Sequence, residues 1–237
     1  MNPYPSDLME RGPEQGRMTH SAPPSATTDK IVDTLVSDHG GSLLDDEIHL
    51  VFLEDFVGDR VCDHLVGLAH DLLFARSATT LGADPSRTSN SAVIPTDNDP
   101  VTQELAQKVA TITGRGVQCV EAFQVVRYES GEFFKPHRDP FPVDYMTRMG
   151  WSTTSQRRYT LFVYLNTVDN GGETDFPLLG LSFRPRKGCA LFWENCSTPE
   201  KVHHKSLHQG LAPNGDLKFG LNVWVTFGGE GVSMRKV

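Results

Sequence analysis

LKFGLNVWVTF, residues 217–227, is the stretch on which the reading of the fold turns. In an extended chain successive side chains point to opposite faces. Leu217, Phe219, Leu221, Val223, Val225 and Phe227 therefore share one side, and Lys218, Gly220, Asn222, Trp224 and Thr226 the other. The first side is an apolar core face. The second joins one lysine to Gly, Asn and Trp, a set that suits the lining of a pocket better than a solvated surface.

The same period of two runs upstream as far as residue 119. CVEAFQVVRYESG, RRYTLFVYLN, LSFRP, GCALFWEN and HKSLHQG are short β-branched and aromatic runs broken by Gly, Pro, Asn or Asp. Several such strands in a row predict a sandwich or barrel of jelly-roll type. Before them the period changes. IHLVFLEDF (48–56) reads as a strand, and Val61, Leu65, Leu68 and Leu72 mark one face of a helix. RTSNSAVIPTDNDP (87–100) reads as turn-rich. A second helix then opens with Asp99 as N-cap and Pro100 as first residue, carries Val101, Leu105, Val109 and Ile112 on one face, and stops at Gly114. The fold class that follows is α+β and mainly β, with N-terminal helices packed outside a jelly-roll core.

Composition narrows the function. A chain of 237 residues with a net charge of −8 does not attract nucleic acid or an anionic membrane as its main partner. No apolar run approaches the ~20 residues of a membrane span, and the N-terminus lacks an apolar secretory signal, so a cytoplasmic location is expected. Cys62, Cys119, Cys189 and Cys196 show no CxxC spacing and read as reduced thiols. Residues 1–29, with five prolines and little apolar pattern, read as a disordered tail ahead of a single domain spanning 30–237.

The chemistry centres on FFKPHRDPF, residues 133–141. In an extended segment His137 and Asp139 point the same way and can offer an imidazole and a carboxylate to one ion. Alone, a His-x-Asp triplet is a commonplace surface turn. A third ligand has to come from a distant strand, and His203, His204 and His208 are available. His208 is preferred because Lys218, a cation on the pocket face, lies on the strand that follows it. Two histidines and a carboxylate on one side of an octahedral ion leave positions open, the arrangement of non-heme Fe(II) oxygenases. An anionic co-substrate chelating that ion needs a buried cation at its far end, as Lys218 provides.

With these residues in place the chain resembles the Fe(II)- and 2-oxoglutarate-dependent dioxygenases of the prolyl 4-hydroxylase branch. The resemblance runs from about residue 48 to 227. It rests on RTSNS (87–91), QVVRYESGEFFKPHRD (124–139), RRYTLFVYLNTVDNGGETDFP (157–177), KGCALFWEN (187–195) and SLHQG (206–210), followed by Lys218 and Trp224. It implies a double-stranded β-helix whose metal-binding core spans about 119–228, with His137, Asp139 and His208 as the metal ligands. It also implies Lys218, Tyr128 and Thr174 around 2-oxoglutarate, Trp224 as a pocket wall, and Arg157 on the substrate side. The expected cofactors are Fe(II), 2-oxoglutarate, O2 and L-ascorbate. The expected reaction is hydroxylation of a prolyl residue in a peptide or protein, with release of succinate and CO2.

Three other readings stand beside it: the same chemistry on a non-prolyl substrate, a zinc hydrolase on the same ligands, and a barrel that binds peptide without turnover. A hydrolase has no use for Lys218 on a pocket face, and a mere binding module has none for a complete ligand set. His203 and His204 read as exposed loop residues, and His39, His49, His64 and His70 carry no role. The segment 140–156 departs from the family pattern. Its Tyr145, Met146, Met149 and Trp151 make it more apolar than a solvated loop, which fits either a loop tucked over the barrel or a lid over the substrate.

Overall fold

A computed structural model of the chain describes residues 26–77 and 84–228. The helices are α1 (Ala26–Ser37), α2 (Asp59–Asp71), α3 (Pro100–Thr113) and α4 (Val143–Arg148). The early strands are β1 (Ser42–Asp45), β2 (Leu50–Leu53), β3 (Ala75–Arg76) and β4 (Asn90–Ile94). They are followed by β5 (Phe123–Tyr128), β6 (Phe134–His137), β7 (Arg157–Tyr164), β8 (Thr174–Phe176) and β9 (Leu181–Phe183). The last are β10 (Ala190–Glu194), β11 (Cys196–Thr198), β12 (Lys201–Val202), β13 (His208–Gly210) and β14 (Lys218–Thr226).

Eight strands form the major sheet in the order β1-β2-β10-β7-β14-β5-β4-β3, and four form the minor sheet in the order β6-β13-β8-β9. Strand β14, predicted from its alternation, lies between β7 and β5, antiparallel to both. Its two faces serve two cores, as the alternation requires. Phe219, Leu221, Val223 and Val225 join one apolar cluster with Ile31 and Leu35 of α1, Cys62 and Leu65 of α2, and Leu105 and Val109 of α3. The helices thus pack on the outer face of the major sheet. Between the sheets a second cluster gathers Val126, Tyr128, Phe162, Tyr164, Phe176, Leu191 and Trp193. This is the expected jelly roll, and its inner face carries the site.

Local signals decide several boundaries. Asp99 caps α3 through its side chain, in a capping box with Thr102, with Pro100 inside the first turn and Gly114 closing the helix in the left-handed region at φ 60°. In α2 the buried face is Cys62, Leu65 and Ala69, whereas Val61 and Leu68 are only partly buried and Leu72 is exposed. The small Cys62 and Ala69 occupy the contact with the sheet, a choice that counting large apolar residues does not reveal.

Other expectations need correction. The segment 87–100 is not turn throughout, because Asn90–Ile94 pairs with β5 as a strand. Ala92 and Ile94 are buried on one face, and Ser91 and Val93 on the other are not. Residues 1–25 lie outside the described residues, but the tail boundary at 29 is too late. Helix α1 begins at Ala26. Thr28 is fully buried and donates a 2.9 Å hydrogen bond to Glu194 Oε1. The apolar residues that dock α1 lie beyond that boundary, so its first turn carried no periodic sign. Among the described residues no helix is long and apolar enough to cross a membrane.

Candidate active site

Strands β6 and β13 are antiparallel neighbours in which His137 stands opposite His208. Asp139 follows two residues beyond the end of β6 and is 8% exposed. His137 Nε2 lies 3.8 Å, and His208 Nε2 3.9 Å, from the same oxygen, Asp139 Oδ1. Among the described residues this is the one group of three His, Cys, Asp or Glu side chains able to share a cation, with ligand atoms within 4.8 Å of one another.

The electronic state of the three suits a cation. His137 Nδ1 is 2.9 Å from the carbonyl of Lys135, and His208 Nδ1 is 2.9 Å from that of Ser206. A carbonyl can only accept, so each Nδ1 carries a proton, and Nε2 is the nitrogen that each ring turns toward Asp139. Burial, reinforced by the neighbouring His208, holds His137 well below the ordinary imidazole range and therefore neutral. Burial alone would raise the Asp139 pKa, but His208, His137, Arg157 and a hydrogen bond from Thr160 outweigh it and keep the carboxyl below its usual value. Two imidazoles and a carboxylate are the donor set of a site that holds a cation through two histidines and one acidic residue.

Lys218 stands opposite Tyr128 in the β14–β5 ladder and is 1% exposed. Its Nζ is surrounded by rings, 5.1 Å from that of Tyr128, 5.4 Å from Phe162 and 5.8 Å from Tyr164. No carboxylate of the described residues lies within ion-pair distance, and burial, only partly offset by the more distant Glu173, lowers its pKa to about 7. A buried ammonium without a counter-ion is costly and marks a place for an anion. Tyr128 and Thr174 are both buried. Ser89 lies beside Tyr128, and Thr174 lies beside Tyr164, whose hydroxyl donates to the Phe183 carbonyl at 3.0 Å. Gly210 lets Tyr128 approach, since a Cβ there would stand 3.3 Å from the phenol oxygen.

Arg157 and Trp224 form a layer at the Asp139 end. The guanidinium carbon lies 3.4 Å from the Trp224 ring centroid and 4.4 Å from that of Phe141. Its Nε and Nη2 donate to the two oxygens of Glu121 at 2.9 and 2.8 Å, both residues being buried. Sequence reading had no sign of Glu121 as the partner. Trp224 Nε1 has no hydrogen-bond acceptor among the described residues. The 140–156 segment packs here as well. Phe141, Tyr145 and Trp151 form a ring cluster, and Gln156 clamps its base by accepting from Phe141 N and donating to Phe141 O, each at 2.8 Å.

His203 and His49 are not idle. His203 Nε2 and His49 Nδ1 each lie 3.3 Å from Glu194 Oε2, ion-pair distances rather than close hydrogen bonds. Arg158 holds Oε1 at 3.1 Å. His203 is thereby turned away from the metal ligands. His204 accepts instead from Arg138, the residue between the two ligands of the HxD, at 2.7 Å through its carbonyl. Thr160, Asn195 and Trp193, beside Asp139 and His208, were also missed. Their one sign was the alternation that places Thr160 on the same face as Phe162 and Tyr164.

A family model for the 2OG-Fe(II) oxygenase superfamily matches residues 123–226. Probable prolyl 4-hydroxylase 11 of Arabidopsis thaliana is 37% identical over 162 residues, 61% of this chain and 54% of that one. The chain thus spans about half the length of that relative. Prolyl 4-hydroxylase subunit alpha-2 of Gallus gallus is 29% identical across 76% of this chain and 34% of its own. Among solved structures, the viral collagen prolyl hydroxylase of Paramecium Bursaria Chlorella virus-1 in its 2OG complex superposes with a TM-score of 0.60 at 26% identity, covering 74% of this chain and 94% of that chain. A Pseudomonas putida prolyl-4-hydroxylase, 16% identical with a TM-score of 0.56 over 84% of this chain and 99% of its own, shares the fold.

Proposed function

The chain belongs to the 2OG-Fe(II) oxygenase superfamily, and from that premise we propose that it hydroxylates a prolyl residue in a peptide or protein. The observation that carries the proposal is the convergence of His137, Asp139 and His208, with two of these ligands on the minor sheet, together with a buried lysine on the major sheet that has no counter-ion among the described residues. The printed names of the relatives support prolyl specificity, while the ligand set and Lys218 support the oxygenase chemistry.

His137 Nε2, His208 Nε2 and Asp139 Oδ1 would hold Fe(II). Bound there with 2-oxoglutarate and O2, the metal supplies the power to hydroxylate an unactivated C–H bond while 2-oxoglutarate becomes succinate and CO2. Lys218 pairs with the distal carboxylate of the co-substrate, with Tyr128 and Thr174 as neighbouring hydroxyls. The rings of Tyr128, Phe162 and Tyr164 exclude water from that contact, which strengthens it. Trp224 walls the site at the Asp139 end. Arg157, stacked between Trp224 and Phe141, orients the substrate side through that layer. L-ascorbate serves to keep the metal reduced, and its inclusion rests on the family relationship.

Purified protein is incubated with Fe(II), labelled 2-oxoglutarate and a panel of proline-rich peptides. The expected result is labelled CO2 release coupled to hydroxyproline in at least one peptide. Succinate coupled to a hydroxylated residue other than proline would overturn the substrate, and no turnover by folded, metal-loaded protein would overturn the oxygenase.

A further inference from the structure

Asp139 uses only one oxygen toward the two histidines, and a buried chain of hydrogen bonds occupies the other. Thr160 Oγ1 lies 2.5 Å from Asp139 Oδ2, Asn195 Nδ2 donates to Thr160 Oγ1 at 2.7 Å, and Trp193 Nε1 donates to Asn195 Oδ1 at 2.8 Å. Thr160 and Asn195 are fully buried, and Trp193 is 1% exposed. The direction of the chain is dictated by chemistry. An indole N–H only donates, so the Asn195 carbonyl faces Trp193 and its amide faces Thr160. With its oxygen accepting from that amide, Thr160 directs its own proton at the ionised carboxylate.

The chain is anchored at both ends to the ligand set. The Trp193 ring packs edge-on to His208, with centroids 4.8 Å apart. Trp193 also stands opposite Thr160 in the β10–β7 ladder, so the register that aligns these strands sets the chain's length. We propose that Trp193, Asn195 and Thr160 are positioning residues that engage Asp139 Oδ2 and so make Asp139 a ligand through Oδ1 alone. Held in this way, the carboxylate cannot swing to chelate a cation through both oxygens, and an additional position on the open side is kept for co-substrates. The inference rests on the metal reading of His137, Asp139 and His208.

The test is cation binding by the full-length protein, without turnover. Mn(II) affinity is measured by calorimetry, and the visible spectrum of the Co(II)-loaded protein reports coordination. Thr160→Val keeps the side-chain shape and removes the donor. It is expected to lower Mn(II) affinity by about 10–100-fold, the usual cost of losing a contact that orients a ligand, and to change the Co(II) bands as the second oxygen becomes free. Thr160→Ser restores both. Trp193→Phe retains ring packing and loses only the terminal donor, so it shifts both readouts in the same direction by a smaller factor. It also decides the matter if Thr160→Val does not fold. Wild-type affinity and spectrum in whichever of these two variants fold would overturn the positioning role and leave the metal site standing. Failure of the wild-type protein to bind Mn(II) or Co(II) would overturn the metal reading beneath it.

Discussion

His208 lies directly across an antiparallel ladder from His137, with the ring centroids 4.3 Å apart and the two Nδ1 atoms each fixed on a carbonyl two residues earlier. Strand pairing brings the two imidazoles together, and the backbone selects the nitrogen that each presents.

Removing His208 and removing His203 should therefore have unlike consequences. His208→Ala is expected to lose metal binding by more than the roughly 10–100-fold that a supporting contact is worth. His203→Ala should leave it near wild type and lower stability instead, because His203 partners Glu194. Calorimetric titration with Mn(II), together with chemical denaturation, separates the two, and loss of binding in His203→Ala would mean that the ligand set is wrong.

Lys218 should make co-substrate binding depend on pH. Its folded pKa of about 7 lies below the ordinary 10.5. Without an anion, the folded protein binds fewer protons than the unfolded chain between those values. Stability then rises with pH across that window, and the cost of the buried charge is complete below about 7. A dicarboxylate needs the protonated amine, so 2-oxoglutarate affinity should fall by up to about tenfold per unit above pH 7, with proton uptake on binding. Calorimetry in two buffers of different ionisation enthalpy reads both effects. Lys218→Met should weaken binding by about 1.5–3 kcal/mol at neutral pH and flatten the profile. Affinity independent of pH from 7 to about 9 would remove Lys218 from this role.

Glu194 should hold the N-terminal helix to the barrel. Burial opposes its charge, but His203, His49, Thr28 and Arg158 lower its pKa to about 2. Because the folded value is below the ordinary 4.5, the stabilisation is present above 4.5 and is lost as pH falls toward 2. His49, whose pKa the neighbouring Glu194 carboxylate raises against the opposing effect of burial, works the other way: its share is full below 6.5 and is lost as pH rises through the raised value. Glu194→Gln should cost roughly 3–5 kcal/mol near pH 6, by leaving buried Arg158 without its carboxylate. Hydrogen exchange in α1 should also quicken. An unchanged denaturation midpoint would show that this cluster contributes nothing.

Arg157 presents two roles that one substitution cannot separate. Arg157→Ala leaves Glu121 charged and buried without a partner, at an expected cost of roughly 3–5 kcal/mol. Replacing the pair together, Arg157→Met with Glu121→Leu, should recover most of that stability, since apolar groups of similar volume replace a buried ion pair at little net cost. If Arg157 orients substrate, the stable double variant keeps metal and 2-oxoglutarate affinity but shows a raised KM for peptide. Wild-type KM would confine Arg157 to the core.

Much of the site was legible because its parts have short-range signatures. The HxD works through the i, i+2 geometry of extended chain, and Lys218 and Trp224 share a face by the same period of two. The capping of α3 needs only four consecutive positions, Asp99 to Thr102. Helix α1 was overlooked because its first turn, residues 26–29, has no large apolar side chain, and its buried Thr28 is held by a tertiary contact to Glu194 that no local pattern shows. The strand at Asn90–Ile94 was overlooked because its alternation is written in small and polar side chains.

The sequence by itself determined the alternating faces of the β-rich half, the candidate ligands and the single cation on the pocket side, because side-chain direction in a strand depends only on position along the chain. The tertiary structure alone decided which partners those residues meet. Strand register placed Glu121 against Arg157, Thr160 against Asp139, and His49 and His203 against Glu194. These contacts join strands and loops far apart in the chain, and their pairing is set by the register of whole strands, of which no local window carries a trace.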